Sequence, residues 1–285
     1  MNALRDALLA LIASALLGFD TMTASAVNVL TNGLDTWDLI VELSDVLKPF
    51  CYVVIGICLL IELVQVSSKV DMIKWEYGLK ICVKMVLAKV LIDSAPVFLE
   101  ACYLQASKWV SDVVNAPLGG VSNLGELVND EMSVLVNAIG GLWSVLGLFI
   151  SVFIVVMAIK LCGLIVQVIA YGRMFELYVY LAVSPLPCAF FPLGNGDGGG
   201  FSPVTSKFFK SFTAICLQGV MMVLCMRIFG VVMENTIRAG ISDATSTTGT
   251  VAVSDLCYTM LLGSIVLVMS VVKCGSWAKA ILDAT

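Results

Sequence analysis

Residues 134–170 read VLVNAIGGLWSVLGLFISVFIVVMAIKLCGLIVQVIA, thirty-seven positions with one charge, Lys160. The apolar residues run on without the alternation that a half-buried strand requires, so the segment is a helix. At 1.5 Å per residue it is about 55 Å long, well beyond the ~30 Å of bilayer hydrocarbon. It is therefore read as a helix that crosses a membrane and projects past it near Lys160, with Arg173 closing it.

The rest of the chain has the same character. Of 285 residues, 60% are hydrophobic and only 13% charged, and the mean hydropathy is +1.01. A soluble domain carries about a quarter charged residues to make its polar shell. Here the bilayer must be the solvent for much of the surface. Backbone groups in lipid need internal partners, so spans are helices or a closed barrel. Continuous apolar runs of about 20 residues select helices. The net charge of −5 argues against a nucleic-acid surface, and the absence of histidine removes His-based catalysis and His metal ligation. The ten cysteines lie in or beside apolar runs with no C-x-x-C, as small buried hydrophobes do. No metal, cofactor or catalytic group is expected, and the chain reads as non-enzymatic.

Three regions follow. Residues 1–45 hold an apolar helix, Leu4 to Phe19, and an acidic stretch from 20 to 45 with a turn at Asn32-Gly33. Ala24-Ser25-Ala26 has the form of a leader cleavage site, but Arg5 is cancelled by Asp6; a removable leader, an uncleaved span and an interfacial helix all stay open. Residues 46–133 hold a span at 46–66 with Pro49 in its first turn, a basic segment, a charged span at 79–99, and an acidic loop from 100 with a turn at 116–120. Residues 134–285 form the core: the long helix, an interrupted segment at 174–193, spans at 208–233 and 256–272, and loops at 194–200 and 242–250. The interruption is Ser184-Pro185-Leu186-Pro187, where two prolines remove donors and crowd the preceding turn. Such backbone must face protein or water, not lipid.

Charge sets the orientation. Arg5 and the basic clusters at 67–84, 160–173, 207–210 and 273–285 hold 11 of 16 Lys and Arg. The stretches 20–45, 100–133 and 234–255 hold 13 of 21 acids. Cytoplasmic loops collect basic residues. The groups alternate sides if 174–193 re-enters without crossing. The fold expected is thus all-α: a polytopic transmembrane bundle with about six crossings, one broken, re-entrant segment and cytoplasmic termini.

Ionisable residues inside spans mark polar paths or partners. Lys84, Lys89, Asp93 and Arg227 are the candidate polar path, with Ser184, Pro185 and Pro187 the broken helix. Lys89 and Asp93, four apart, are placed to pair. The charged second span either lines a path or lies flat at the interface with its lysines snorkelling. Glu62 and Lys160 are expected at head groups, Arg227 against a carbonyl or a neighbouring subunit. Gly140-Gly141 and Gly147 offer close helix approach, and Trp37, Trp75, Trp109 and Trp277 an aromatic belt.

At the interruption, Tyr178-Val179-Tyr180-Leu181-Ala182-Val183-Ser184-Pro185-Leu186-Pro187 precedes Phe190-Phe191 and a Gly-rich loop. Phe208-Phe209-Lys210-Ser211-Phe212 and Leu217-Gln218-Gly219 follow. This resembles the central region of TrbL-like conjugal transfer proteins of Gram-positive mobile elements, over roughly residues 130–275. The resemblance implies a membrane-platform or channel subunit of a conjugative type IV secretion system in the plasma membrane. It further implies homo-oligomers, other membrane subunits and separate ATPases as partners, and transient contact with translocating DNA or protein. Two other classes remain open on the residues alone. A small-solute or ion transporter predicts a second interrupted helix; the other is a purely structural scaffold, or a membrane-bound immunity or regulatory partner.

Overall fold

The computed structural model describes residues 2–32, 37–69, 75–116, 142–193, 202–244 and 249–282, and these are almost entirely helical. The helices are α1 (Asn2–Asn32), α2 (Trp37–Lys69), α3 (Trp75–Asn115), α4 (Leu142–Val183), α5 (Pro185–Ala189), α6 (Pro203–Ala244) and α7 (Gly249–Ile281). A 3-10 turn at Phe191–Leu193 follows α5. Among the described residues, four segments are long and apolar enough to cross a membrane: Trp37–Val64, Leu146–Ala189, Pro203–Thr236 and Cys257–Ile281. The chain is an all-α polytopic membrane protein. The two weak spans of the sequence, α1 and charged α3, fall outside those four.

Most helices outrun the apolar runs that announced them. α1 continues through the first part of the acidic stretch to Asn32, so the turn signal there marks its end. α2 begins nine residues before the expected span, which leaves Pro49 in mid-helix rather than in the first turn. α3 carries on through Glu100, Lys108 and Asp112, residues expected in a loop, and contains Pro96 as well. Arg173 does not close α4, which runs ten residues further. The physical reason is common to all. Bilayer thickness sets a minimum length for an apolar run, whereas a helix stops only where capping, glycine or proline stops it. The Gly-rich loop, Gly140-Gly141 and the turn from Pro117 lie outside the described residues, as do residues 245–248 of the loop expected at 242–250, whose other residues belong to the flanking helices.

The chain divides into two compact units. One comprises residues 1–31, 109–172 and 220–274. Its core is built from Leu8 and Ala26 of α1, Val152 and Val166 of α4, Met222 of α6 and Val271 of α7. Here Lys160 lays its aliphatic stem over Gly18 of α1, so it packs rather than merely reaching for head groups. Gln167 of α4 donates to Ser25 of α1 at 3.2 Å. Gly263 of α7 admits the Met233 side chain, whose Cε lies 2.6 Å from where a Cβ would stand. Gly147, expected to serve close approach, faces open space instead.

The other unit comprises residues 32–108, 173–219 and 275–285. Its frame is an antiparallel α2–α3 hairpin. On α2 the buried side chains Trp37, Ser44, Cys51 and Cys58 recur every seven residues. On α3 they are Ala88, Ile92, Ala95, Leu99, Tyr103 and Ala106. Spacings of three, four and seven are those of helices packed at a shallow angle, and the small Ser, Cys and Ala side chains let the two backbones close up. Trp37 does not stand in an aromatic belt. It is buried and stacked on Tyr103, ring centroids 5.5 Å apart.

Candidate functional site

The interruption expected at 174–193 is confined to its second half. Pro185 has no N–H to give Leu181, the fourth residue before it, and its ring crowds that carbonyl. Ser184 takes up the Leu181 carbonyl instead, donating at 3.1 Å across three residues. The chain tightens there, with Ser184 still helical at φ −52°, ψ −34°, and resumes as the single turn of α5. Pro185, Cys188 and Ala189 are buried. Cys188 and Ala189 pack with Cys51 and Ile55 of α2 and Ala88, Ile92 and Ala95 of α3. Thr205, at the start of α6, donates to the Pro187 carbonyl at 2.8 Å. The proline-interrupted turn is thus seated in the protein interior. The Ser184 hydroxyl, also buried, has no hydrogen-bond partner among the described residues.

Three of the four charged candidates sit on α3 and divide between its faces. Lys84 turns inward and forms an ion pair with Glu62 of α2, both side chains mostly buried. Glu62 therefore serves the hairpin and does not reach for head groups. Lys89 and Asp93 turn outward. Although four residues apart, they form no ion pair; Asp93 accepts instead from the Tyr52 hydroxyl of α2 at 2.6 Å. The interhelical hydroxyl ties α2 to α3, which a pairing along one helix could not do. Arg227 belongs to the other unit, where it donates through Nη2 to the Ala116 carbonyl at 3.2 Å. A carbonyl partner was one expectation for it. The bond satisfies the carbonyl of the residue just past the end of α3.

One polar cluster escaped sequence reading. Gln218 of α6, 2% exposed, turns its amide oxygen to Arg173 of α4. It accepts from Nε at 2.7 Å and Nη2 at 2.8 Å, and from the Gly275 N–H of α7 at 3.2 Å. Arg173 Nη1 also pairs with Glu176 at 2.7 Å. A Cβ on Gly275 would come within 2.5 Å of the Gln218 amide and 3.2 Å of the guanidinium. Glycine here makes room for a fork of charged donors around one buried oxygen. Gln218 had drawn notice within a motif, but its partners stand 45 and 57 residues away in sequence. No local pattern announces such a cluster.

No group of residues able to hold a metal occurs among the described residues. The arrangement contains helix-joining polar contacts, two outward ionisable groups and a buried proline elbow.

Residues 31–185 match the family described as TrbL/VirB6 plasmid conjugal transfer like protein. That is more than half the chain. The chain belongs to this family. The matched region takes in α2, α3 and α4 and ends on the first proline of the elbow. It overlaps the resemblance read from sequence over 130–185 and extends it toward the N-terminus. No match is found among curated proteins or among solved structures. Membership makes the chain a type IV secretion-related membrane subunit, part of a multi-subunit machine.

Proposed function

We propose that this protein is a non-catalytic platform subunit of a conjugative secretion machine in the cytoplasmic membrane of a Gram-positive bacterium, where it assists passage of DNA or protein. It works as a homo-oligomer beside other membrane subunits, and separate ATPases supply the energy. The observation that carries this reading is the family match over 31–185, which coincides with the α2–α3 hairpin and the long helix α4. The polar path narrows relative to the sequence reading. Lys84 is neutralised by Glu62 and Arg227 is engaged with Ala116, which leaves Lys89 as the outward cation of the candidate set.

In-frame deletion of the gene is expected to abolish conjugal transfer, and the full chain supplied in trans to restore it. Lys89→Gln in the restored strain is expected to lower transfer at unchanged membrane abundance. Normal transfer by the deletion strain sinks the reading; normal transfer by Lys89→Gln removes only the polar path. The pairing of Lys84 and Arg227 favours a second reading, a scaffold that organises its partners without touching substrate. The transporter reading gains no support, since Pro49 and Pro96 both lie within continuous helices.

A further inference from the structure

The cysteines read in sequence as small buried hydrophobes, and most are buried in that way. Two of them do more. Cys225 of α6 and Cys274 of α7 bring their Sγ atoms to 3.5 Å. At that distance the sulfurs touch, with no room for an atom between them. The two residues are 49 apart in the chain and belong to no C-x-x-C, so nothing local announces the pair. We propose that Cys225 and Cys274 form a reversible dithiol–disulfide site that clips α6 to α7 when a small, lipid-soluble disulfide oxidises it.

Both thiols lie in the unit of residues 1–31, 109–172 and 220–274. There α6 and α7 run antiparallel. Met233 of α6 packs against Gly263 of α7. Cys225 lies back along α6 from Met233, and Cys274 lies onward along α7 from Gly263. Val223 and Met226 of α6 and Val271 of α7 belong to the buried core, so apolar packing already fixes the helix pair. Packing alone asks only for small volume, which Ala170 and Ser264 supply elsewhere in the unit. Here the reactive atoms themselves meet. Going from contact to a bond closes the sulfurs by about 1.5 Å, within reach of rotation about the two Cα–Cβ bonds.

Burial sets the order of events. Cys274 is 0% exposed, whereas Cys225 is only half-buried. Both stand within candidate spans, Pro203–Thr236 and Cys257–Ile281, so a reagent reaches them through lipid. An incoming disulfide meets Cys225 first. The Cys225 sulfur gives up its proton and attacks one reagent sulfur. The reagent S–S bond breaks, and one reagent thiol leaves with that proton. The Cys274 sulfur then attacks Cys225 Sγ in the mixed disulfide, and the second reagent thiol leaves with the Cys274 proton. Two protein thiols are oxidised to one disulfide, and one reagent disulfide is reduced to two thiols. The site does not depend on the secretion role.

Disulfide mapping of the full chain in phospholipid vesicles tests it. The reduced protein is exposed to dipyridyl disulfide, a small apolar probe; remaining thiols are alkylated and the chain is digested without reductant. Mass spectrometry is expected to find a peptide cross-linked through Cys225 and Cys274, lost on treatment with dithiothreitol. Glutathione disulfide, which does not enter lipid, is expected to act roughly tenfold or more slowly, since exchange follows access. Cys274→Ser is expected to stop at a stable mixed disulfide on Cys225. Cys225→Ser is expected to leave Cys274 unmodified over the same time. Serine nearly preserves the size of each side chain, and circular dichroism checks that helical content is unchanged. A parent chain with no such cross-linked peptide, or with a mixed disulfide that persists on Cys225, overturns the proposal, and that readout needs no variant. Equal modification of the two single variants, or an equal rate with glutathione disulfide, overturns it as well.

Discussion

Two polar sites in one compact unit solve opposite problems. Around Gln218, one buried amide oxygen collects the Arg173 guanidinium and the Gly275 N–H, and Glu176 takes the remaining arm of the arginine. Donors and acceptors are matched inside protein. Along the outer edge of the α2–α3 hairpin, Tyr52 and Asp93 meet in the open, with Lys89 one helical turn away. Buried polar groups are costly unless satisfied, so the first site is locked by its own energetics. The second is held by one exposed hydrogen bond and is free to meet something outside the chain. Stability is expected to reside in the first and interaction in the second.

The strongest way to break that division is at the enclosed site. Gln218→Leu removes the acceptor from two guanidinium donors and one backbone N–H, and each orphaned buried donor costs about 1–3 kcal/mol. A loss of about 3 kcal/mol or more is expected, read as a lowered thermal midpoint in detergent and reduced membrane abundance. Gly275→Val is expected to do the same by forcing the amide and guanidinium aside. A Gln218→Leu protein as stable as the parent would mean that the cluster does not hold these helices.

Next in size is the Lys84–Glu62 pair, the inward counterpart of Lys89. Removing one partner of a mostly buried ion pair strands the other, at a cost of about 2–3 kcal/mol. Lys84→Met and Glu62→Met are each expected to lower the midpoint, and the double variant to recover most of the loss. Normal conjugal transfer by the double variant would fit a purely structural pair. Loss of transfer at restored stability would return Lys84 to the polar path.

The sequence carried the architecture well and the contacts poorly, for separable reasons. Helical class and membrane placement are properties of long runs, and residues 134–170 alone nearly decide them. The elbow was legible because proline acts locally; its depth in the protein was not, since burial of Cys188 and Ala189 depends on α2 and α3. Lys89 and Asp93 look paired by spacing, but the competing donor, the Tyr52 hydroxyl 41 residues before Asp93, is brought there only once the hairpin closes. Trp37 reads as an interface residue by type. Its stacking on Tyr103 follows from a seven-residue repeat that also runs through the unremarkable Ser44 and Cys51.

Between the two extremes stands the elbow. Thr205→Val leaves the shape of the side chain and removes the hydroxyl that caps the Pro187 carbonyl. With the carbonyl left unsatisfied beside α2, a cost of about 1–2 kcal/mol is expected in thermal unfolding. A change smaller than about 0.5 kcal/mol would show the elbow to be fixed by apolar packing alone.

The smallest stability effect is expected at Tyr52, and it separates the two sites most sharply. Tyr52→Phe deletes an exposed hydrogen bond, whose net worth is at most about 0.5–1 kcal/mol. Its ring stays where it was, so folding and membrane abundance should be near those of the parent. Asp93 loses its partner on α2 and becomes free to turn toward Lys89. If the outward edge works by presenting separate charges, transfer should fall several-fold while the thermal midpoint holds. The Gln218→Leu result has the reverse signature, with stability lost first and transfer lost in proportion to abundance. Should Tyr52→Phe leave transfer untouched, the outward polar edge is a fastening of the hairpin like Lys84–Glu62.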